Sequence, residues 1–180
     1  LRRSDVPAPG VSPTAAESMR RHAVAIANAL EHVGVLAVEY FVIGERVLVN
    51  EIAPRVHNSG HLTIEHARTS QFENHIRAVC GLPLGSTEAR FPTATMINGI
   101  GRHPEGDALP GLGFVSTAPA AGAPDPRPSR ARWHDYGKSP RRGRKLGHLT
   151  LVADRLDEER IADLEAVVPG GEGLTAGSPD

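Results

Sequence analysis

The chain has 180 residues, enough for one ordinary domain or two small ones with a buried core. Its 19 glycines and 15 prolines predict many turns and short elements, which excludes a coiled coil and disfavours a helical bundle. The net charge is −1, but seven basic residues and one acidic residue fall between Arg130 and Lys145, so a concentrated site for anions is expected there.

Several classes of protein are disfavoured by composition. No stretch approaches the roughly 18 consecutive apolar residues of a membrane span, and the N-terminus lacks the charged-then-apolar pattern of a secretory leader. The single cysteine, Cys80, has no partner for an internal disulfide, which favours a reduced thiol in a cytoplasmic protein. The chain has one Trp, two Tyr and four Phe, too few aromatic rings to favour a reader of single-stranded nucleic acid.

The N-terminal third is expected to contain one long helix. Residues 1–11 are predicted to be an irregular entry segment. The Ser-Pro-Thr run at 12–14 predicts the start of a helix, because proline suits the first turn and the threonine begins a capping-box pattern. Apolar residues recur at helical spacing as far as Leu30, and Gly34 is expected to end the helix.

A β-hairpin is predicted next, from the apolar runs 35–43 and 46–52 on either side of a turn-like Gly-Glu pair. Each run contains one acidic residue, Glu39 in the first and Glu51 in the second. A three-residue loop would place Glu39 directly opposite Glu51, whereas a two-residue loop would place it opposite Asn50.

The two acidic residues have two possible interpretations. Carboxylates that face each other destabilise a sheet unless a cation lies between them, and a pair of carboxylates without cysteine or clustered histidine favours a hard ion such as Mg²⁺. Alternatively, each glutamate lies at a strand end and forms an ion pair with a nearby arginine. The spacing alone favours neither interpretation.

The segment that follows the hairpin is rich in polar side chains. Arg55 could hold a carboxylate or a phosphate through two parallel hydrogen bonds, and the Asn, Ser and His residues at 57–61 supply neutral donors and acceptors. Such a set suits a polar anionic substrate, although the same composition is equally typical of a plain turn. Residues 53–69 show little periodicity and are expected to form a long loop.

The remaining elements are predicted from caps and apolar runs. A Ser-Gln-Phe-Glu capping box at 70–73 predicts a short helix that ends at Gly81. A final amphipathic helix is expected over 157–168, followed by a Gly-rich tail. Between these helices, strands are predicted at residues 96–100, 130–136 and 146–152, and an irregular connection at residues 104–128.

The basic segment Tyr136–Lys145 lies between two of these strands, where a loop can fold cations around an anion. Lysine and arginine at this density suit a phosphate group. A solvated run of charge and nonspecific nucleic-acid binding are the alternatives, and the near-neutral total charge weighs against the second. A phosphorylated small molecule is therefore the favoured ligand.

Several of these stretches together resemble one enzyme family, the 5-(carboxyamino)imidazole ribonucleotide synthases of the ATP-grasp superfamily. The resemblance is to the C-terminal half of the family enzyme and extends over residues 8–168. Its most specific part is the Asn-Glu-Ile-Ala-Pro-Arg string that begins at Asn50, together with the His-Asn-Ser-Gly-His string that ends at His61. The similar stretches are residues 35–41, 49–61, 69–73, 81–85, 136–138 and 144–150.

The resemblance implies an α+β fold in two parts. The second half of an ATP-grasp domain, an antiparallel sheet with helices, would occupy residues 8–95, and a small β-rich domain would occupy residues 96–168 before a disordered tail at 169–180. The implied activity is the ATP-dependent carboxylation of 5-aminoimidazole ribonucleotide with bicarbonate in de novo purine biosynthesis. A homodimer in the cytoplasm is also implied. Because the family enzyme is longer, the chain is expected to be a truncated form without the N-terminal half.

Matching positions imply roles for individual side chains. Glu39 and Glu51 would bind the Mg²⁺ or Mn²⁺ that bridges the ATP phosphates, with Asn50 and Glu51 beside the nucleotide. Arg55 would hold bicarbonate or carboxyphosphate as the catalytic residue. The ribonucleotide would contact six further side chains: Asn58, Ser59 and His61 in the substrate site, and Lys138, Arg144 and Lys145 around its phosphate.

Two other functions stay open. Another ATP-grasp carboxylase or ligase would share the paired glutamates but lack the polar string at 57–61 and the Tyr-Gly-Lys segment. An inactive remnant would keep the basic loop as an anion-binding module. ATP hydrolysis that depends on 5-aminoimidazole ribonucleotide would distinguish these functions.

Overall fold

The structure is a computed structural model that describes residues 2–101, 130–155 and 157–169. The described chain divides into two compact units, one formed by residues 7–90 and the other by residues 2–6 together with those from Phe91 onward. Helices and antiparallel sheets occur in both, which confirms the predicted α+β class. Over these ranges, no helix is long and apolar enough to cross a membrane.

Ten helices and strands make up the described chain, with a short 3-10 turn at Asn58–Gly60. The strands form a four-stranded sheet in the order β1-β4-β6-β5 and a separate hairpin, β2-β3. In chain order the elements are β1 (Arg3–Val6), α1 (Pro13–Ala29), β2 (Ala37–Ile43), β3 (Arg46–Ala53), α2 (Thr63–His66), α3 (Gln71–Val79), β4 (Thr93–Ile100), β5 (Arg130–Asp135), β6 (Lys145–Ala153) and α4 (Glu158–Val167).

Most predicted elements are found within a few residues of their expected limits. The connection expected at 104–128 lies outside the described residues, as does all of the expected tail after Pro169. The domain limits expected at 8–95 and 96–168 stay a prediction, and the two compact units divide between Arg90 and Phe91.

Helix α1 begins where its cap predicts and ends earlier than expected. The Ser12 hydroxyl accepts a hydrogen bond from the amide of Ala15 at 3.1 Å, which satisfies one of the free N–H groups of the first turn. At the other end, Leu30 is the C-cap and Glu31 takes the left-handed conformation, with φ of 47°, that Gly34 was expected to supply. Backbone hydrogen bonds close the last turn around Glu31, so the helix ends without a glycine.

Helix α1 is joined to the hairpin by Tyr40, whose hydroxyl donates a hydrogen bond to the carbonyl of Met19 at 2.8 Å. Burial raises the pKa of the Tyr40 phenol above its ordinary value. The unit of residues 7–90 nevertheless buries little apolar surface, since its fully enclosed hydrophobic residues are only Ala15, Leu62 and Ala67 among those described. Thirteen large apolar residues of the described chain are exposed, all in this unit: Val24, Leu30, Val33, Phe41, Ile43, Leu48, Val49, Ile52, Phe72, Ile76, Val79, Leu82 and Leu84.

The four-stranded sheet includes a strand that the sequence did not predict. Residues 3–6, expected to be part of an irregular entry segment, form β1 and pair antiparallel with β4. One side-chain contact supports this pairing, since Thr95 donates to the Asp5 carboxylate at 2.7 Å. Arg3 joins β1 to α4 instead: its two terminal guanidinium nitrogens donate to Glu158 at 2.9 and 3.0 Å. The Arg3 guanidinium also holds the pKa of the Glu158 carboxyl below its ordinary value.

The hydrophobic core of this second unit lies between the sheet and α4. Ile97, Leu149 and Leu151 from the sheet meet Ile161 and Leu164 from the helix, and all five are buried. Strands β4 and β6 are enclosed over nearly their whole length, as central strands of a covered sheet are expected to be. The stable platform of the described chain is therefore this sheet, from which the basic loop extends.

Candidate functional site

Glu39 and Glu51 face each other across the hairpin. The hairpin loop has only two residues, which would place Glu39 opposite Asn50 if the pairing were regular. The register shifts, however, because Tyr40 pairs with Val49 whereas Glu39 pairs with Glu51. Asn50 is thus the extra residue of a β-bulge, and the bulge brings Glu39 and Glu51 to directly opposite positions in the strand pairing.

Glu39 is held by a histidine rather than by an arginine. The Nε2 atom of His57 lies 3.2 Å from one carboxylate oxygen of Glu39, and the side-chain amide of Asn50 donates to the other at 3.5 Å. The Nδ1 atom of His57 accepts the amide hydrogen of Ser59 at 3.3 Å, so the ring proton is assigned to Nε2, which donates it to Glu39. A neutral imidazole is sufficient for this contact.

The carboxylate of Glu51 is exposed and makes no hydrogen bond or ion pair with any described residue. The alternative in which each glutamate pairs with a nearby arginine is therefore not what the described part of the chain contains. One oriented carboxylate and one available carboxylate, facing each other, suit a hard cation such as Mg²⁺.

The described residues do not provide a closed metal cage. Across ranges 2–101, 130–155 and 157–169, no group of three or more His, Cys, Asp or Glu side chains is placed to hold a metal ion. Mg²⁺ commonly binds through one or two carboxylates and takes its other ligands from water and substrate phosphates. The facing glutamates therefore fit an ion that arrives with a phosphorylated ligand.

Gln71 organises the segment that follows the hairpin. Its side-chain oxygen accepts the amide hydrogen of His57 at 3.0 Å, and its side-chain nitrogen donates to the carbonyl of His57 at 2.8 Å. The same nitrogen lies 2.7 Å from Nδ1 of His61. Gly60 leaves room for this arrangement, because a Cβ at that position would lie 2.4 Å from the Gln71 oxygen. A single amide thus fixes both histidines.

The long loop expected over residues 53–69 is wrong in part, since it contains the 3-10 turn and α2. Asn58 and Ser59 lie in the turn, and His61 is its C-cap. These three positions therefore have defined backbone geometry. Arg55 precedes the turn; its guanidinium is exposed and donates to the neighbouring carbonyl of Val56 at 3.0 Å.

The basic loop belongs to the other unit and connects β5 to β6. Asp135 pairs with Gly147 at its base, so the two ends of the loop start side by side. Lys138 is exposed near the first end, whereas Arg144 and Lys145 are half-buried at the second. The loop thus carries the three predicted phosphate-binding side chains at its two ends.

The second end of the basic loop is fixed to strand β4. The amide of Gly101, just after β4, donates to the carbonyl of Arg144 at 2.9 Å, and the amide of Gly143 donates back to the carbonyl of Gly101 at 2.9 Å. The Arg144 guanidinium donates to the carbonyl of Ser139 at 3.3 Å. These contacts order the loop although six of the nine residues at 136–144 are charged or glycine.

Three aromatic side chains beside the basic loop were given no role in the sequence-based prediction. The Tyr136 hydroxyl lies 2.8 Å from Nδ1 of His148, whose side chain is 1% exposed. The His148 ring stacks on His134 with a centroid separation of 4.6 Å and an interplanar angle of 18°. Together with His57 and Gln71 in the other unit, these residues support the predicted site residues. All of them except His134 lie in the stretches that resemble the family, which is the signal that the sequence offers for them.

Two family models match the chain, one in each half. Residues 2–72 match the ATP-grasp domain, and residues 94–161 match the phosphoribosylaminoimidazole carboxylase C-terminal domain. Over 143 residues the chain is 47% identical to the N5-carboxyaminoimidazole ribonucleotide synthase of Vibrio vulnificus strain YJ016, covering 79% of this chain and 33% of that protein. The chain spans about a third of the length of the curated relatives that it matches.

Solved structures are similar to the chain as well. The N5-carboxyaminoimidazole ribonucleotide synthetase from Thermus thermophilus aligns with a TM-score of 0.75 at 46% identity, covering 98% of this chain and 44% of that one. The N5-carboxyaminoimidazole synthase from Aspergillus clavatus, in complex with ADP and 5-aminoimidazole ribonucleotide, aligns with a TM-score of 0.69 at 30% identity, covering 89% and 41% respectively. The facing glutamates fall in the first matched domain and the basic loop in the second.

Proposed function

Because this chain belongs to the N5-carboxyaminoimidazole ribonucleotide synthase family of ATP-grasp ligases, we propose that it takes part in the carboxylation of 5-aminoimidazole ribonucleotide. The substrates are ATP, bicarbonate and the ribonucleotide, and the product is 5-(carboxyamino)imidazole ribonucleotide for purine biosynthesis. The family membership agrees with the resemblance found in the sequence, and the family includes a solved complex with ADP and this ribonucleotide.

The reaction has two steps. A bicarbonate oxygen attacks the γ-phosphorus of ATP, and the bond to the bridging oxygen breaks to release ADP and leave carboxyphosphate. The exocyclic amine of the ribonucleotide then attacks the carboxyl carbon, loses a proton and expels inorganic phosphate. Negative charge develops on phosphoryl oxygens in both steps, so fixed positive groups around them lower the barrier.

Glu39 and Glu51 hold Mg²⁺ or Mn²⁺ in this proposal, with Asn50 beside the nucleotide. When bound, the ion neutralises negative charge on the ATP phosphates. The observation that carries the proposal is the bulge at Asn50, which sets two acidic residues opposite each other, an arrangement that is unfavourable in a sheet unless a cation lies between them. The hydrogen bond from His57 orients Glu39 for this task.

The remaining predicted residues divide between the reacting groups and the ribonucleotide. Arg55, exposed beside the hairpin, holds bicarbonate and then carboxyphosphate. The neutral side chains Asn58, Ser59 and His61 contact the ribonucleotide, and Lys138, Arg144 and Lys145 contact its phosphate. The domain limits 8–95 and 96–168 and a homodimeric assembly, both expected from the resemblance, belong to the same proposal.

Substrate-dependent ATP hydrolysis tests this function. The exposed apolar residues of the 7–90 unit make it sensible to assay the chain alone and also mixed with the N-terminal portion of the V. vulnificus relative. We expect ADP release in the mixture that requires both bicarbonate and 5-aminoimidazole ribonucleotide. Hydrolysis that depends on a different acceptor would indicate another ATP-grasp ligase, and no turnover in either assay would favour the anion-binding remnant.

Lys138→Ala is expected to weaken 5-aminoimidazole ribonucleotide binding about 10- to 100-fold, the range for losing one hydrogen bond between charged groups. The dephosphorylated nucleoside should lose almost nothing, because it lacks the group that Lys138 contacts. Calorimetric titration of both ligands measures this difference. Arg132→Ala is the matched control, since Arg132 is an exposed cation on β5 outside the loop. Equal losses for nucleotide and nucleoside would contradict the phosphate contact.

A further inference from the structure

We propose that Tyr136 is a positioning residue for Lys138 and that the buried His148 holds the Tyr136 ring in place for this purpose. The inference rests on the proposed function to the extent that Lys138 is taken to meet the substrate phosphate. It adds Tyr136 and His148, which bind no substrate themselves, to the residues on which that contact depends.

Tyr136 is fixed at its backbone and at its hydroxyl. Its backbone amide donates to the carbonyl of Leu146 at 2.9 Å, which continues the β5–β6 ladder by one residue. Its hydroxyl lies 2.8 Å from Nδ1 of His148, in the interior of the sheet. His148 cannot easily move away, because it is 1% exposed and stacks on His134, its cross-strand partner. The aromatic ring is thus held against the sheet at the start of the basic loop.

The chain turns so that Lys138 comes back over this ring. Gly137 adopts a left-handed conformation with φ of 61°, and its amide donates to the side chain of Asp135 at 2.8 Å. After this turn the ammonium of Lys138 lies 5.0 Å from the centroid of the Tyr136 ring, within range of a cation–π interaction. The ring attracts the charge through its face and takes none of the hydrogens that a phosphate would accept.

A lysine held in this way binds an anion at a lower entropic cost than a freely rotating one. The lysine side chain has four rotatable bonds, and their freedom is lost when the ammonium is fixed against a ligand. Arg144 has its own anchor in the carbonyl of Ser139, whereas Lys138 is exposed and its contact is with the ring. The ring therefore supplies for Lys138 the orientation that a hydrogen bond supplies for Arg144.

The first measurement needs no ligand. Protons that lie over an aromatic ring resonate upfield, so the side-chain methylene signals of Lys138 in the full chain should be shifted upfield relative to those in Tyr136→Leu. Tyr136→Phe keeps the ring but loses the contact with His148, and we expect a shift between the other two. An unshifted Lys138 in the wild-type chain would overturn the proposal, and a Tyr136→Phe shift equal to wild type would overturn the part played by His148.

The second measurement is a double-mutant cycle with 5-aminoimidazole ribonucleotide and its nucleoside as the titrated ligands. Tyr136→Leu should weaken binding of the nucleotide about two- to fivefold, the equivalent of one exposed cation–π contact, and leave binding of the nucleoside unchanged. In the Lys138→Ala background the same substitution should have no further effect, because Tyr136 acts through Lys138. An equal loss in both backgrounds would indicate a merely structural role and overturn the proposal.

The two measurements separate this inference from the proposed function. If Lys138→Ala leaves nucleotide binding unchanged, the phosphate contact of the proposed function is wrong, and the upfield shift still decides whether Tyr136 positions Lys138. If Lys138→Ala weakens binding but Tyr136→Leu does not, the phosphate contact stands and the positioning role is overturned.

Discussion

Glu51→Gln is expected to have opposite effects on metal-dependent binding and on stability. Binding of ADP in the presence of Mg²⁺ should weaken by more than about 10- to 100-fold, the usual loss when only an outer partner of a metal ligand is removed. In the absence of Mg²⁺ the same variant should unfold at a slightly higher temperature, because it no longer places a second negative charge opposite Glu39. Calorimetric titration and thermal unfolding, each with and without Mg²⁺, measure the two effects.

The opposite signs separate loss of a ligand from loss of the fold. A damaged hairpin would lower both binding and stability, whereas an ordinary surface glutamate would change neither. Glu45→Gln is the matched control, since Glu45 is exposed and lies in the turn of the same hairpin. This substitution removes the same charge at the other end of the strands. Unchanged Mg²⁺-dependent binding in Glu51→Gln would remove this residue from the proposed metal site.

The register of the hairpin illustrates where sequence reasoning stops. The apolar runs and the Gly-Glu turn predict both strands, but they leave the cross-strand partner of Glu39 to depend on the loop length alone. The loop has two residues, and Glu39 pairs with Glu51 because of the bulge at Asn50. A bulge adds one residue to one strand without changing the hydrophobic pattern, so the alternation of side chains gave no indication of it.

Strand β1 and the end of α1 were missed for a related reason. Residues 3–6 show no alternation of apolar and polar side chains, and they become a strand because β4, some ninety residues away in sequence, offers them an edge. At the end of α1, Glu31 accepts a conformation that glycine would adopt at lower cost. Both outcomes depend on contacts or strain that local propensity does not contain.

For the candidate site, residue type predicted the charged groups but not the residues that orient them. Carboxylates in an apolar strand and cations in a loop are conspicuous because burying or concentrating charge is costly. His57 is held by Gln71, 14 residues further along the chain, and Tyr136 by His148, 12 residues further along. Such pairs are recognisable only once the fold has brought them together. The sequence thus predicts the chemistry of the two regions, and the structure adds how each is held.

Gly147→Ala is expected to be the most destabilising of the substitutions considered, by about 3 kcal/mol, the upper end of the range for overpacking a core. A Cβ at this position would lie 2.4 Å from the backbone oxygen of His134 and 2.5 Å from the ring of Trp133. The ring could turn away, but the oxygen belongs to β5 and moves only if the strand moves. Hydrogen exchange of the β6 amides reports on this sheet separately from the rest of the chain.

Gly99→Ala provides a matched comparison, because its Cβ would lie 2.6 Å from the Trp133 ring while the nearest backbone atom is 3.6 Å away. In a Trp133→Leu background, the cost of Gly99→Ala should therefore nearly disappear, whereas most of the cost of Gly147→Ala should remain. If the second cost also disappears, the β5 backbone yields more easily than its pairing with β6 implies. Gly147 pairs with Asp135 at the base of the basic loop, so a displaced β5 would also move the turn that carries Lys138. Gly147→Ala should therefore weaken binding of the ribonucleotide phosphate as well as lower stability.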